Sequence, residues 1–330
     1  MSSLLFQDKG STMFEITHRI VQTNGIHLHI AEAGQGPLVL LLHGWPESWY
    51  SWRHQIPALA AAGYHVVAPD VRGYGQSDKP WEIEAYSMKQ LLADCTGLLD
   101  ALGEKTAVIV GHDWGAAMAW TSAALHPERY RAVVSMSVPH LGRSPQPPTQ
   151  LFRQTFQDTW LYLLYFQQPG VAEAEFEADV AKALRTIYTG TPGYDPMSPV
   201  VRAKKPGDGY LVGLETPSTL PAWLTEEDLA YFVKEFSRGG FRSSLNRYRN
   251  MDRDWEELPE LATMKIHQPA LFVIGEQDPG RAFAPIEPMK ALVPHLHEPV
   301  IVPGAGHWVQ QERPAEVNAA LLSFLKGLPP

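Results

Sequence analysis

Cysteine is nearly missing from this chain: Cys95 is the only one in 330 residues. A single thiol excludes an intramolecular disulfide framework, a CxxC redox pair and a multi-thiolate zinc site. Its place in an apolar periodic stretch assigns it to packing. Positive charge is short as well. Lys and Arg number 27 against 36 Asp and Glu, a formal balance of −9, and no basic cluster interrupts it, which argues against nucleic acid and anionic membranes as partners. No apolar run reaches the ~20 residues of a membrane-spanning helix. Residues 1–13 have neither a basic n-region nor a long apolar h-region, so the expectation is a soluble, cytoplasmic protein, with Met13 an alternative start. Repeats and low-complexity tracts are absent. The thirteen histidines show no HExxH or paired-ligand spacing, and Gly73-Tyr-Gly-Gln-Ser77 lacks the Lys-Ser/Thr of a phosphate loop. No metal and no cofactor is therefore expected.

What is present is alternation. Ile16–Val21 and Ile26–Ala31, on either side of Gln-Thr-Asn-Gly, predict an opening antiparallel hairpin. Apolar runs at Leu38–Leu42, Val66–Ala68, Ala107–Val110 and Ala132–Val138 are interleaved with amphipathic segments at Trp49–Ala62, Tyr86–Leu102 and Trp114–Leu125. Strand-helix alternation of this kind predicts an α/β class with a parallel sheet covered on both faces. The rhythm stops after Val138 and resumes at Ala270–Ile274, followed by a strand at Pro299–Val302 and a helix at Pro314–Leu325. The 117 residues from 140 to 256 are too many for a loop. They predict a helical lid inserted into a core made of 1–139 and 257–330, with the Pro-rich Ser144–Pro148 as a hinge.

The strongest local signal is Val108-Ile-Val-Gly-His-Asp-Trp-Gly-Ala-Ala117, a G-x-nucleophile-x-G elbow between a strand and an alanine-rich helix. Gly111 and Gly115 permit the tight turn that pushes Asp113 outward, and the Trp114 N–H then faces an oxyanion formed there. A helix N-cap is the competing reading of Asp113. Further along, Asp278 follows the strand Leu271–Ile274 in Ile-Gly-Glu-Gln-Asp, and His307 lies in Pro303-Gly-Ala-Gly-His-Trp308 after the last strand. Nucleophile, acid and histidine thus run in the order of an α/β-hydrolase. A turn ahead of Pro279-Gly280 is the other use of Asp278, and Glu276 is the second candidate for the acid. The other position for such an acid, Ser137-Val-Pro-His-Leu-Gly, carries no carboxylate. In Leu42-His-Gly-Trp-Pro-Glu-Ser48, Gly44 permits close backbone approach and the Trp45 N–H is the expected second oxyanion donor. Pro46 restricts Trp45 and is a candidate cis residue. His43, His112 and His140 have structural readings, and Met118 and Trp120 read as core.

An aspartate at position 113 narrows the chemistry. A carboxylate that attacks an ester yields only an anhydride, whereas at a saturated carbon it displaces a leaving group and forms an alkyl-enzyme ester. His307, oriented by Asp278, would activate water against that ester. If the leaving group is an epoxide oxygen, the alkoxide needs an acid, and a tyrosine O–H suits the task at neutral pH. The lid supplies Tyr162, Tyr165, Tyr188, Tyr194, Tyr210, Tyr231 and Tyr248, and spacing does not choose among them.

These motifs resemble the epoxide hydrolases of the α/β-hydrolase fold, most closely the hydrolase domain of soluble epoxide hydrolases, from about Ile16 to Leu325. The resemblance is carried by HGWPESWYSWRHQIPALAAAGYHVVAPDVRGYGQSD, GHDWGAAMAW and GAGHWVQQERPAEVN, and in the lid by YLLYFQQPGVAEAE from Tyr162 and FRSSLNRYRN from Phe241. It implies a mostly parallel eight-stranded sheet with helices on both faces, a small-molecule epoxide and water as reactants, and a vicinal diol as product. Tyr162 and Tyr248 would be the ring-opening acids, with Tyr165 the competitor if the register slips, and Trp45 and Trp114 would add apolar walls. There are departures from the family pattern: Pro279-Gly280 follows the acid, and Arg247 stands before Tyr248 where an aromatic is common. The phosphatase domain of the mammalian enzymes is not seen, so the hydrolase unit alone is expected. Haloalkane dehalogenases share the nucleophile and the Trp after it, but place a polar side chain where Trp45 stands. A fluoroacetate-type enzyme would need Arg in place of Trp114, and a serine esterase would need Ser at 113. A non-catalytic binding protein of this fold is the alternative from another class. Oligomeric state, monomer or homodimer, is not legible in the chain.

Overall fold

The computed structural model describes residues 15–157, 159–190, 195–284 and 286–329, the side chain of Phe283 excepted; residues 1–13 and Tyr194 lie outside them. Two compact units emerge, one from the residues up to Asp78, Leu91–Leu141 and from Met264 onward, the other from Lys79–Gln90 and Gly142–Thr263. Residues 79–90 thus join the second unit, although the sequence pattern puts them in the core.

The first unit is built on eight strands: β1 (Thr17–Thr23), β2 (Ile26–Ala33), β3 (Leu38–Leu42), β4 (His65–Pro69), β5 (Ala107–His112), β6 (Tyr130–Met136), β7 (Ala270–Gly275) and β8 (Val300–Val302). They lie in the order β1-β2-β4-β3-β5-β6-β7-β8. β1/β2 and β2/β4 pair antiparallel, the other neighbours parallel. Every residue of β3, β5 and β7 is buried, which is why their text is a near-continuous apolar run, closed in β5 by His112, rather than an alternation. β1, at the edge, is mostly exposed. The opening hairpin turns through only Asn24 and Gly25, both at positive φ (43° and 75°), the two-residue turn whose twist matches its strands.

Helices of this unit are α1 (Gln55–Ala61), α2 (Met88–Leu102, which begins in the second unit) and α3 (Trp114–Leu125), with three more late in the chain. The pattern at Trp49–Ala62 predicts one helix, yet the chain forms a 3₁₀ turn at Trp49–Trp52 and then α1. Pro57 supplies the reason: it is tolerated in the first turn of α1 but would break a helix begun at Trp49.

The regular structure among the second unit's described residues is helical: α4 (Pro148–Thr155), α5 (Tyr162–Tyr165), α6 (Val171–Glu177), α7 (Val180–Thr189), α8 (Pro199–Ala203), α9 (Glu226–Gly239), α10 (Arg242–Arg249) and α11 (Met251–Glu257). Thr225 and Asp228 form a capping box at the start of α9. The chain ends, in the first unit, with α12 (Ile286–Leu292), α13 (Val309–Glu312) and α14 (Pro314–Lys326). No helix among the described residues is long and apolar enough to cross a membrane. Cys95, Met118 and Trp120 are buried; burial pushes the Cys95 thiol up, so it packs rather than reacts.

Candidate active site

Asp113 sits between β5 and α3 at φ 54°, ψ −120°. A non-glycine residue in this region costs about 1–3 kcal/mol and persists only where its surroundings over-determine it. Here the small neighbours do so. A Cβ on Gly115 would stand 2.0 Å from the Leu42 carbonyl oxygen, and one on Gly44 would stand 2.3 Å from Asp113 Oδ1. Both positions must be glycine for β3 and the elbow to approach. The Trp45 N–H donates to Asp113 Oδ1 at 2.8 Å, and the Trp45-Pro46 bond is cis. Trp114 is the first residue of α3, where amides have no acceptor within the helix. The Trp45 ring is buried and that of Trp114 half-buried.

The other Asp113 oxygen, Oδ2, lies 3.7 Å from His307 Nε2. On the far side of the ring, His307 Nδ1 is 3.1 Å from Asp278 Oδ2. Asp278 Oδ1 in turn accepts the Gly280 N–H at 2.8 Å, so the Pro279-Gly280 departure caps the acid instead of displacing it. Glu276 turns elsewhere and accepts the Gly304 N–H. Burial alone would lower His307, but the charge of Asp278 and its contacts with both carboxylates outweigh it, and the ring is held well above the usual histidine range. The Asp278 carboxyl shows the converse: burial would raise it, but His307 draws it below the ordinary value.

Sequence reasoning missed a buried set of supports behind this triad. Glu47, fully buried, accepts the Gly44 N–H at 2.7 Å and faces His112 Nδ1 at 2.8 Å. His112 Nε2 points at the His307 carbonyl at 2.7 Å. Both ring nitrogens of His112 therefore face acceptors. Burial would raise the Glu47 carboxyl, yet the charge and hydrogen bond of His112 hold it down to about 2. The pair joins the loop of Trp45, the residue before Asp113 and the backbone of His307. Ser137 Oγ also donates to the His307 carbonyl at 3.0 Å, while Glu312 accepts the N–H groups of Gly306 and Trp308 on either side of it. The signal was available: Glu47 and His112 lie inside the motifs around Trp45 and Asp113, but His112 had a simpler structural reading and Glu47 was given none. His43 does conform to such a reading, accepting the Val71 N–H and donating to the Gly44 carbonyl.

Within the second unit, Tyr162 opens α5 and Tyr248 lies near the end of α10. Their rings meet edge to face with centroids 6.1 Å apart. Tyr165, the competitor, donates its O–H to Glu175 at 2.8 Å, and the same carboxylate accepts the Tyr210 and Leu211 N–H groups. Arg247, the residue before Tyr248, is buried, ion-paired to Asp254 and hydrogen-bonded to the Tyr86 carbonyl. Tyr188 packs on Phe232, and Tyr210 on Phe166.

With this geometry in view, comparisons with known proteins identify the family. Residues 37–314 match the model of the alpha/beta hydrolase fold family. Epoxide hydrolase A of Mycobacterium tuberculosis is 49% identical over 94% of this chain and 98% of that protein. Epoxide hydrolase 2 of Siraitia grosvenorii is 42% identical over 95% and 99%. The crystal structure of epoxide hydrolase A from Mycobacterium thermoresistibile superposes with a TM-score of 0.91 at 48% identity, covering 95% of this chain and 99% of that one. The chain belongs to the epoxide hydrolases of the α/β-hydrolase fold.

Proposed function

We propose that this protein opens epoxides to vicinal diols through an ester on Asp113. The observation that carries the reading is the division of labour at one carboxylate: Oδ1 is held by a backbone N–H at 2.8 Å, and Oδ2 is directed toward His307 at 3.7 Å. Oδ2 attacks an epoxide carbon and the C–O bond breaks. The departing oxygen takes a proton from Tyr162 or Tyr248, the pair favoured by their packing against each other and by the engagement of Tyr165 with Glu175. His307 Nε2 then removes a proton from water as it adds to the Asp113 carboxyl carbon. The negative charge passes to Oδ1, where the N–H groups of Trp45 and Trp114 stabilise it; one such donor contributes about 2.7–4 kcal/mol. Collapse expels the diol oxygen, protonated by the imidazolium, and leaves Asp113 as the carboxylic acid; its proton returns to the tyrosinate formed on ring opening, which restores both the carboxylate and the phenol.

The electrostatics favour this order. In the free enzyme His307 lies between two carboxylates, which raise it. Alkylation turns Asp113 into a neutral ester and removes one of those anions, so the ring gives up its proton more readily when a base is required. No cofactor enters the scheme. The helical insertion supplies the acids. A haloalkane dehalogenase would use the same nucleophile, but a halide departs without a proton and leaves the tyrosines without a task.

The two readings part in a His307→Ala variant, in which the ester should accumulate. Intact mass after mixing with styrene oxide is expected to rise by the whole epoxide, with the adduct on Asp113. An adduct from a short alkyl halide alone, equal to the alkyl group, would move the assignment to dehalogenase. Tight ligand binding with neither adduct nor turnover would make the protein a binding module.

A further inference from the structure

The two phenols sit on elements that cannot hold each other in place unaided. For both hydroxyls to reach one epoxide oxygen at hydrogen-bond distance, their oxygens must lie within roughly 5.5 Å of each other. Tyr162 stands on α5, a single turn of four residues, and a helix of that length is not stable by itself. Tyr248 stands on α10, far away in sequence. The structure provides a strut between them. The side-chain amide of Gln167 donates to the Leu163 carbonyl at 2.7 Å and to the carbonyl of Tyr248 itself at 3.1 Å. In the opposite direction Arg249, the residue after Tyr248, donates to the Phe166 carbonyl at 3.1 Å and is paired with Glu173. Phe166, fully buried, fills the space between, its ring 5.6 Å from Tyr162 and 5.0 Å from Tyr248.

We infer that Gln167 is a positioning residue for ring opening: one amide grips the turn that carries Tyr162 and the backbone of Tyr248, and so sets the separation of the two acids. The inference rests on the proposed roles of those tyrosines. Gln167 touches no reacting atom. Its loss should slow the step that needs both phenols and spare the step that needs His307.

The test is single-turnover kinetics with styrene oxide, resolving ester formation from ester hydrolysis, in Gln167→Met and in the isosteric Gln167→Glu, which lacks the donor at neutral pH. Circular dichroism shows which variants fold, and either suffices. Ester formation is expected to fall between about 10- and 100-fold, the scale of a misplacement near 1 Å, with hydrolysis changed less than about 2-fold. In a Tyr248→Phe background the same substitution should cost less than about 2-fold, because the pair is already broken. Equal slowing of both steps, or the same factor in both backgrounds, would assign Gln167 to general stability and overturn the inference. If Tyr162→Phe and Tyr248→Phe themselves leave ester formation intact, the functional reading fails with it. If they slow it and the Gln167 variants do not, the inference fails alone.

Discussion

The surroundings of Asp113 and those of Tyr162 and Tyr248 are built differently. Asp113 and Asp278 follow the buried strands β5 and β7, His307 follows the short edge strand β8, and the loops that carry them are tied together by a buried pair, Glu47 and His112, and by Glu312. The tyrosines stand on short helices joined by side-chain amide and guanidinium contacts to backbone carbonyls. On the proposed mechanism, charge formation and relay would thus occupy the part of the molecule that can hold groups rigidly, where preorganised donors are worth most. On the same mechanism, assistance to the leaving group would occupy a part in which a few side chains set the geometry. Damage to the first region should therefore stop the reaction or loosen the fold, and damage to the second should slow one step.

The largest effect is expected from Asp113→Ala, which removes the bond-forming atom; steady-state turnover of styrene oxide should fall by at least about 10⁴-fold. Next comes the double variant Tyr162→Phe/Tyr248→Phe. Ester formation should drop by ~10²–10⁴-fold, the range of general acid catalysis, while hydrolysis of the ester, once formed, keeps its rate. Parallel loss of both steps would erase the contrast between the two regions.

Glu47→Gln probes stability. Leaving one partner of a buried ion pair uncompensated costs about 3–5 kcal/mol, read as a lower urea midpoint. Because Glu47 is held below its unfolded value, at about 2, its contribution is present above the ordinary glutamate range and is lost as pH falls from about 4.5 toward about 2. The native protein should lose this increment on acidification, and the variant should have none to lose. The smallest change is a displacement. In Asp278→Asn one of the anions that raise His307 is gone, so the ring is neutral at lower pH, and the acid limb of the residual ester-hydrolysis rate should move down the pH scale. An upward move would contradict the assigned orienting contact.

Local text carried most of the first region. Asp113 was legible because an elbow needs small residues on both sides of it, and His307 because a Gly-Ala-Gly loop after a strand exposes the side chain next to it. Asp278 was legible from the same strand-end logic, and the Pro279-Gly280 step proved compatible because a proline needs no donor and the next N–H caps the acid. The supports behind these residues were harder to read, since Glu47, His112 and the His307 carbonyl meet only through tertiary pairing of β3, β5 and the final loop. Among the tyrosines, spacing was silent for a related reason. Tyr165 is withdrawn by Glu175 ten residues on, and Arg247 is turned toward Tyr86 and Asp254. Neither contact leaves a periodic trace. The interruption before α1 could be read from Pro57, whose ring forbids one continuous α-helix from Trp49.

The central claim is that the product oxygen comes from Asp113 and that water replaces it. Single turnover with enzyme in excess, in water enriched in oxygen-18, addresses this directly by mass analysis of the diol and of the peptide containing Asp113. The account predicts an unlabelled diol in the first turnover and oxygen-18 in the Asp113 carboxyl group. A labelled diol with an unlabelled peptide would mean that water attacks the epoxide directly, and the ester would have no place in the reaction.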